Sequence, residues 1–259
     1  MLRRFPFLIL VAALALLPAA CGSGKTQATA TTRASTTAMP VETIVIRAYF
    51  IRDGKLAAVG RKTVHTHAVG QASIGALVTA PNAAERRIGF TTSLPAGIEL
   101  RKIRKDGGRL TLELTRRINQ TAEAQVVTTL TQFASVHDVV LVTPADRTPP
   151  LTRADFESLM PAVLIDTPTP LAEVKSPLEV SGTSNTFEAT SQLELLDASG
   201  ELLASKTVTA SSGTGERGTF HVTLHFKASP GHATLVSYES SAEDGSRIDV
   251  VRIHVRVSD

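Results

Sequence analysis

The first half of the chain alternates between the two-residue hydrophobic period of strands and the longer period of helices. Residues 43–52 are rich in β-branched and aromatic residues, and Asp53-Gly54 supplies a turn before residues 56–64, so the pattern predicts a hairpin. Asn119 can cap a helix whose apolar stripe ends at Phe133. The predicted elements are strands at 43–52, 56–64, 98–103, 109–114 and 139–142, and helices at 68–80 and 120–133. This order, ββα-ββα-β, predicts one compact α/β sheet with helices packed on it.

From Pro161 onward the pattern changes to short runs separated by turn residues. Alternation is clearest at Phe220, Val222, Leu224 and Phe226, where every second residue is apolar. About seven short strands in ~100 residues, without helices, predict a β-sandwich. The clearest strands are predicted at 178–182, 191–196, 202–209, 218–226, 233–238 and 247–257.

The N-terminus has the pattern of an export signal. Two arginines precede an apolar run of 11 residues, Phe7 to Leu17, which is shorter than the ~20 residues that a transmembrane helix needs. We therefore expect a signal peptide over 1–20. Leu17-Pro18-Ala19-Ala20-Cys21 resembles the lipobox of bacterial lipoproteins, which implies that Cys21 carries the lipid, with palmitate as the expected acyl group. The alternative is a plain cleavable signal with an unmodified cysteine.

The segment 21–40 is composed mostly of Thr, Ala, Ser and Gly. Such a sequence cannot bury enough apolar surface to offset the entropy of ordering it. We expect a flexible tether that separates the lipid anchor from the folded body by roughly 25 Å.

Charge is distributed unevenly along the chain. Residues 1–40 carry four Lys or Arg and no acid, residues 41–160 carry 16 against 11, and residues 161–259 carry 7 against 13. The sequence pI of about 9.2 therefore describes a basic module joined to an acidic one. Nucleic acid is not expected as a partner, because the chain is predicted to be exported.

The residues that could carry chemistry do not form a recognisable catalytic or metal-binding set. A single cysteine and the absence of a Gly-x-Ser-x-Gly elbow leave no sequence signal for nucleophilic catalysis. His65 and His67 alternate on one face of a predicted strand, but no acid follows at ligand spacing. His221 and His225 would lie ~13 Å apart on a strand, too far for one ion. We expect no enzyme activity, metal or cofactor.

Five other residues have simple structural interpretations. Asp53, Asp106 and Asp244 each precede a glycine, where aspartate favours a turn. Tyr49 and Phe50 lie in a strand with the composition of a core strand and are predicted to pack inside. With no tryptophan and two tyrosines, the chain offers few aromatic platforms for sugars.

Cationic residues are concentrated at one place in the first module. Five cations surround the second predicted hairpin, and Arg116 and Arg117 follow soon after. Such a hairpin can bind anionic lipid headgroups, an anionic wall polymer or an acidic protein surface, and the alternative is a solubilising face. The candidate binding residues are Arg101, Lys102, Arg104, Lys105 and Arg109.

Residues 45–143 resemble a GerMN domain, the module named for sporulation and spore-germination proteins. The segments that carry the resemblance are VIRAYF (45–50), LAAVGR (56–61), GALVTAP (75–81), SLPAGIEL (93–100), GRLTLEL (108–114) and QVVTTLTQFASVHDVVLVT (125–143). The last is the most specific, because it combines a glutamine, a Thr-Leu-Thr-Gln run and a valine-rich strand.

Residues 163–257 resemble the Gmad2 module, an immunoglobulin-like domain of exported proteins. The segments that carry this resemblance are TPTPLAEVKSPLEVSGTSNTFEA (167–189), LLDASGELL (195–203) and GTGERGTFHVTL (213–224). The expected organisation is a signal peptide over 1–20, a tether over 21–40, an α/β (α+β) GerMN domain over 41–145, a linker over 146–162 and an all-β immunoglobulin-like Gmad2 domain over 163–259.

These expectations describe a lipid-anchored protein on the extracytoplasmic face of the cell membrane. The resemblance implies interaction domains and brings no catalytic residues, so we expect a scaffold or adaptor that binds envelope proteins or a cell-wall polymer. The alternatives are a regulator of a membrane sensor or secretion complex, and an accessory to a cell-wall hydrolase.

Overall fold

The computed structural model describes residues 42–66 and 68–259. The elements of the first module are β1 (Thr43–Arg52), β2 (Lys55–Val64), α1 (Val69–Val78), α2 (Ala83–Arg87), β3 (Leu100–Asp106), β4 (Arg109–Leu114), α3 (Gln120–Leu130) and β5 (Asp138–Val142). β1 and β2 form an antiparallel hairpin, and β3, β4 and β5 form a separate sheet in which β4 and β5 run parallel. The mixed α/β character is confirmed, but the prediction of a single sheet is wrong.

The first sheet ends at β1 because side chains of α3 and of the turn after it cover the free edge of that strand. Gln132 accepts from the Arg47 N–H at 3.0 Å and donates to the Arg47 carbonyl at 2.7 Å. Thr129 accepts from the Tyr49 N–H, and Gln125 donates to the Tyr49 carbonyl, both at 3.1 Å. These side chains satisfy the backbone groups that a neighbouring strand would otherwise pair with.

The hydrophobic pattern of the sequence does not predict helix α2, because five residues are too few to show an apolar period. Its N-terminus is fixed by a capping box in which the Asn82 side chain accepts from the Glu85 N–H, and Glu85 accepts from the Asn82 N–H. Glu85 is buried and also pairs with Arg61 on β2. Polar contacts therefore hold this helix in place.

Several local predictions are confirmed. Asp53 and Gly54 both have positive φ in the β1–β2 turn, at 51° and 75°. The Asn119 side chain accepts from the Ala122 N–H at 2.9 Å at the start of α3. Tyr49 and Phe50 are fully buried. Each of these features depends on residues close together in sequence.

The second module is a β-sandwich, as predicted. Its strands are β6 (Val163–Thr167), β7 (Glu173–Val174), β8 (Leu178–Ser184), β9 (Thr190–Asp197), β10 (Leu202–Thr209), β11 (Gly218–Leu224), β12 (Gly231–Ser240) and β13 (Arg247–Val257). One sheet has the order β10-β9-β12-β13-β7, and the other has the order β11-β8-β6. Strands β6 and β7 are additions to the predicted set.

Strand β6 contributes to two hydrophobic cores, because successive residues of a strand point to opposite faces. Val163 and Ile165 pack in the core of the sandwich. Leu164, between them, packs in the core of the first module with Phe156 and Met160. The two modules accordingly form one compact unit.

The segment 146–162, the predicted linker, is packed against the first module. Leu151 exchanges two backbone hydrogen bonds with Val139 of β5, at 2.9 and 2.8 Å. A short 3₁₀ helix, Arg153–Leu159, follows and buries Phe156. The segment therefore extends the first core toward β6.

Polar contacts also join the modules. The Tyr49 hydroxyl on β1 donates to Asp166 on β6 at 2.5 Å, and the Arg153 guanidinium lies 5.3 Å from the centre of the Tyr49 ring. Near the start of β11, Arg217 donates to Glu157 of the 3₁₀ helix at 2.9 Å and to the Pro161 carbonyl at 2.7 Å.

The predicted signal peptide, the tether and Cys21 lie outside the described residues, as does His67. In residues 42–66 and 68–259, no helix has both the length and the apolar character needed to cross a bilayer.

Candidate functional site on the basic strand

The structure places all five predicted binding cations on one hairpin. Arg101, Lys102, Arg104 and Lys105 lie on β3, and Arg109 begins β4. All five are exposed. Among the described strands, β3 pairs only with β4, so it forms one edge of its sheet.

A β-bulge increases the number of exposed cations on β3. The pairing register shifts between Leu100 and Lys102, which leaves Arg101 without a partner residue on β4. A bulge breaks the alternation of a strand, so Arg101 and Lys102 are both exposed although they are adjacent. Beyond the bulge, Ile103 is half-buried and lies between the exposed Lys102 and Arg104.

The turn of this hairpin is fixed by a close contact with His137. The His137 N–H donates to the Gly108 carbonyl at 2.7 Å. A Cβ atom on Gly108 would lie 2.4 Å from Nδ1 of His137, so only glycine fits there without rearrangement. The hairpin is therefore held against the segment that precedes β5.

Arg109 differs from the other four cations. Its Nη2 donates to Oδ2 of Asp138 at 3.1 Å, and its Nε donates to Oδ1 at 2.5 Å. The hydrogen bond from Arg109 lowers the pKa of Asp138 below its ordinary value and raises the pKa of Arg109. Because this pair joins β4 to β5, the guanidinium is already occupied within the sheet.

Arg101, Lys102, Arg104 and Lys105 have no carboxylate within 4.0 Å among the described residues. They can bind an anionic surface without breaking an existing ion pair. The same charges disfavour pairing of two β3 edges with each other, because like charges would be brought together.

The other histidine and aspartate candidates are spread over both modules. His221 on β11 lies 2.7 Å from Glu179 on β8, and His225 follows the end of β11. His65 lies just past the end of β2. The Asp244 side chain accepts from the Ser246 N–H at 2.9 Å, as a turn residue does. Among the described side chains, no group of three or more His, Cys, Asp or Glu could hold a metal ion.

A cleft of about 300 Å³ lies between the β1–β2 turn, β6 and β13. Its titratable lining residues are Arg52, Asp53, Lys55, Asp249 and Arg252, and the rest of the lining is apolar or proline. The lining has no serine, threonine, cysteine or histidine among the described residues. A serine, threonine or cysteine nucleophile with a histidine base therefore has no counterpart in the described lining of this cleft.

Two family models match the chain. Residues 47–143 match the Germane model, described as "Sporulation and spore germination". Residues 162–246 match the Gmad2 model, described as "Immunoglobulin-like domain of bacterial spore germination". A search of curated proteins finds no match.

Solved structures give more distant similarities. The tandem GerMN domains of the sporulation protein GerM from Bacillus subtilis are 18% identical with a TM-score of 0.37, covering 47% of this chain and 49% of theirs. The chain thus spans about half the length of that structure. The first GerMN domain of the same protein is 18% identical with a TM-score of 0.35, covering 42% of this chain and 95% of that one.

A third structure is a putative lipoprotein from Clostridium perfringens. It is 14% identical with a TM-score of 0.29, and the match covers 44% of this chain and 89% of that one. The family assignment depends on the two model matches, which follow one another along the chain in the order of the two structural modules. The chain belongs to the proteins that combine a GerMN domain with a Gmad2 domain.

Proposed function

We propose that this protein is a lipid-anchored, extracytoplasmic and non-enzymatic scaffold or adaptor of the bacterial cell envelope. Cys21, in its lipobox-like sequence, would carry the anchor. The family descriptions, sporulation and spore germination, support a role in the envelope and name no catalytic activity.

The observation that carries the proposal is the basic strand, defined as Arg101, Lys102, Arg104 and Lys105 of β3. These four exposed cations have no carboxylate within 4.0 Å among the described residues. The free edge and the bulge of β3 present them together. A strand of this kind suits a partner with an acidic surface.

Anchoring strengthens such an interaction without any new contact. The tether expected over 21–40 would hold the folded body close to the membrane, and this would raise the effective concentration of the basic strand near envelope partners. Exposed ionic contacts are individually weak. The basic strand would therefore bind a partner mainly because the anchor keeps the two close together.

The anchor is tested by metabolic labelling with palmitate in intact cells. Label should enter the wild-type protein but not the Cys21→Ser variant, and that variant should leave the membrane fraction. Labelling of the variant, or unchanged fractionation, would contradict the anchor.

The basic strand is tested with the anchor intact. A variant with all four cations replaced by serine should lose envelope partners in crosslinking of intact cells while it stays in the membrane fraction. The matched control replaces Lys62, Arg87, Lys175 and Lys227 by serine, because these four cations are also exposed and change the net charge equally. Equal loss in both variants would indicate an effect of net charge alone.

A further inference from the structure

Two segments that carry the Gmad2 resemblance meet at one end of the sandwich. The loop after β8 and the loop before β11 are joined where the Thr214 N–H donates to the Thr186 carbonyl at 3.0 Å. The Glu188 N–H donates to the Thr214 hydroxyl at 3.2 Å, and the Gly215 N–H donates to Asn185 at 2.9 Å. We call residues 185–189, 212–218 and 239–246 the sandwich tip.

The backbone of the tip is tightly fixed. A Cβ atom on Gly213 would lie 2.5 Å from the backbone nitrogen of Ala189, so the two loops approach closer than side chains would allow. Glu188 and Ala189 are consecutive and both left-handed, with φ of 52° and 56°. Non-glycine residues rarely adopt this conformation, and such strain persists only where the surroundings enforce it.

This fixed backbone displays an aromatic side chain to solvent. Phe187 is 56% exposed and belongs to neither hydrophobic core, although its neighbour Thr186 is buried. The Phe187 N–H donates to the Glu239 carboxylate at 3.0 Å, which fixes the residue from the side of β12. An aromatic residue on a rigid support loses little entropy when a partner covers it, which is typical of binding hot spots.

The surroundings of Phe187 are acidic. Five carboxylates lie on the three segments of the tip, and none of them has an ion pair within 4.0 Å among the described residues. A partner for this surface needs basic groups around a site for the aromatic ring. The carboxylates belong to Glu188, Glu216, Glu239, Glu243 and Asp244.

The basic strand on β3 has the complementary character. It offers four cations without counter-ions on an edge strand whose half-buried Ile103 packs against the first core. In the part of the chain that the structure describes, no hydrogen bond or ion pair joins the tip to β3. Two basic strands repel each other, so a contact between copies must use a different surface on one of them.

We propose that the sandwich tip of one copy binds the basic strand of a second copy, with Phe187 packing at the free edge of β3. The inference rests on the proposed role of the basic strand as a binding surface, and it names the partner of that strand. Because the two surfaces differ, the contact is head-to-tail and can continue from copy to copy. Anchoring in one membrane would raise the concentration of copies.

The test measures self-association of the purified full-length chain in detergent micelles by sedimentation. The wild-type chain should associate, and added salt should weaken the association because exposed charges are screened. Phe187→Ala should weaken it roughly 30-fold, the effect expected of a hot-spot residue. Leu202→Ala is the matched control, because Leu202 is also 56% exposed and lies on β10.

A charge-swap experiment tests the pairing itself. One variant carries Glu188→Lys and Glu243→Lys on the tip, and the other carries Arg101→Glu and Arg104→Glu on the basic strand. Each variant alone should associate more weakly than the wild type, whereas an equimolar mixture should associate again, because the unchanged tip of one variant can bind the unchanged basic strand of the other. Circular dichroism checks that every variant remains folded.

A wild-type chain that stays monomeric, equal effects of Phe187→Ala and Leu202→Ala, or a mixture that does not associate would each overturn the inference. The proposed function fails separately, through palmitate labelling and envelope crosslinking. If the chain is monomeric but the basic strand binds phosphatidylglycerol vesicles, the strand keeps a function and the second copy is not its partner.

Discussion

The Tyr49 hydroxyl on β1 donates a 2.5 Å hydrogen bond to Asp166 on β6 and thereby joins the GerMN domain to the Gmad2 domain. The Tyr49 side chain is fully buried, and Asp166 is half-buried. Burial and the Asp166 carboxylate raise the pKa of Tyr49 well above its ordinary value.

Replacement of Tyr49 by phenylalanine should therefore destabilise the protein. The change leaves the Asp166 carboxylate without its donor, which costs about 1–3 kcal/mol of unfolding free energy. Urea unfolding measures the loss. Tyr238→Phe is the control, because the Tyr238 hydroxyl also donates to a carboxylate, Glu194, but near the surface, and its loss should be less than about 1 kcal/mol. Equal losses of stability in the two variants would show that the Tyr49 hydrogen bond contributes no more than that of Tyr238.

The raised pKa of Tyr49 predicts that the protein loses stability at high pH. An unfolded tyrosine ionises near pH 10, whereas the folded chain holds the Tyr49 proton more tightly. This difference contributes stability that is present below about pH 10 and is lost as the pH rises above it. The unfolding free energy of the wild type should fall more steeply than that of Tyr49→Phe between about pH 9 and 11. Parallel curves would contradict the prediction.

Gln125→Ala tests the polar cover of the β1 edge. Gln125 is fully buried, donates to the Tyr49 carbonyl and accepts from the Ser93 N–H at 2.8 Å. Its removal leaves two backbone groups unpaired, and we expect a loss of about 2–4 kcal/mol in thermal or urea unfolding. Gln120→Ala on the exposed start of the same helix should change stability by less than about 0.5 kcal/mol.

Two glycine-to-alanine substitutions should change the free energy of unfolding in opposite directions. A Cβ atom on Gly182 of β8 would lie 2.0 Å from the Leu164 carbonyl oxygen, so Gly182→Ala must push β6 away from β8. We expect a loss of more than about 3 kcal/mol, or failure to fold. Gly75 in α1 has open space around it, and Gly75→Ala should stabilise the helix by about 0.5–1 kcal/mol. Differential scanning calorimetry compares the two, and a neutral Gly182→Ala would contradict the packing.

Sequence reasoning succeeds here where the relevant residues are close together. The turn at Asp53-Gly54, the cap at Asn119 and the cluster of cations on β3 are all local patterns, and the structure has each of them. The split of the first module into two sheets depends on Gln125 and Gln132, which reach a strand about 80 residues away along the chain. No local pattern predicts such a contact.

The candidate site shows the same limit. The sequence places Arg109 with its four neighbours, but its ion pair with Asp138 exists only because β4 and β5 are adjacent in the folded sheet. Phe187 follows the polar run at the end of β8, and its exposure is set by two loops that meet in the sandwich. The resemblance to Gmad2 covers both loops, and it is the signal that could have pointed to Phe187.

Because strand β6 belongs to both modules, the chain cannot be cut next to it without damage to one of them. A cut before Val163 would remove Leu164 from the GerMN core, and a cut after Thr167 would take an outer strand from the sandwich. Either fragment would expose apolar surface that is normally buried, which promotes aggregation and proteolysis. Evolution would therefore be expected to exchange or lose these two domains together, and cellular quality control to remove them as a single body.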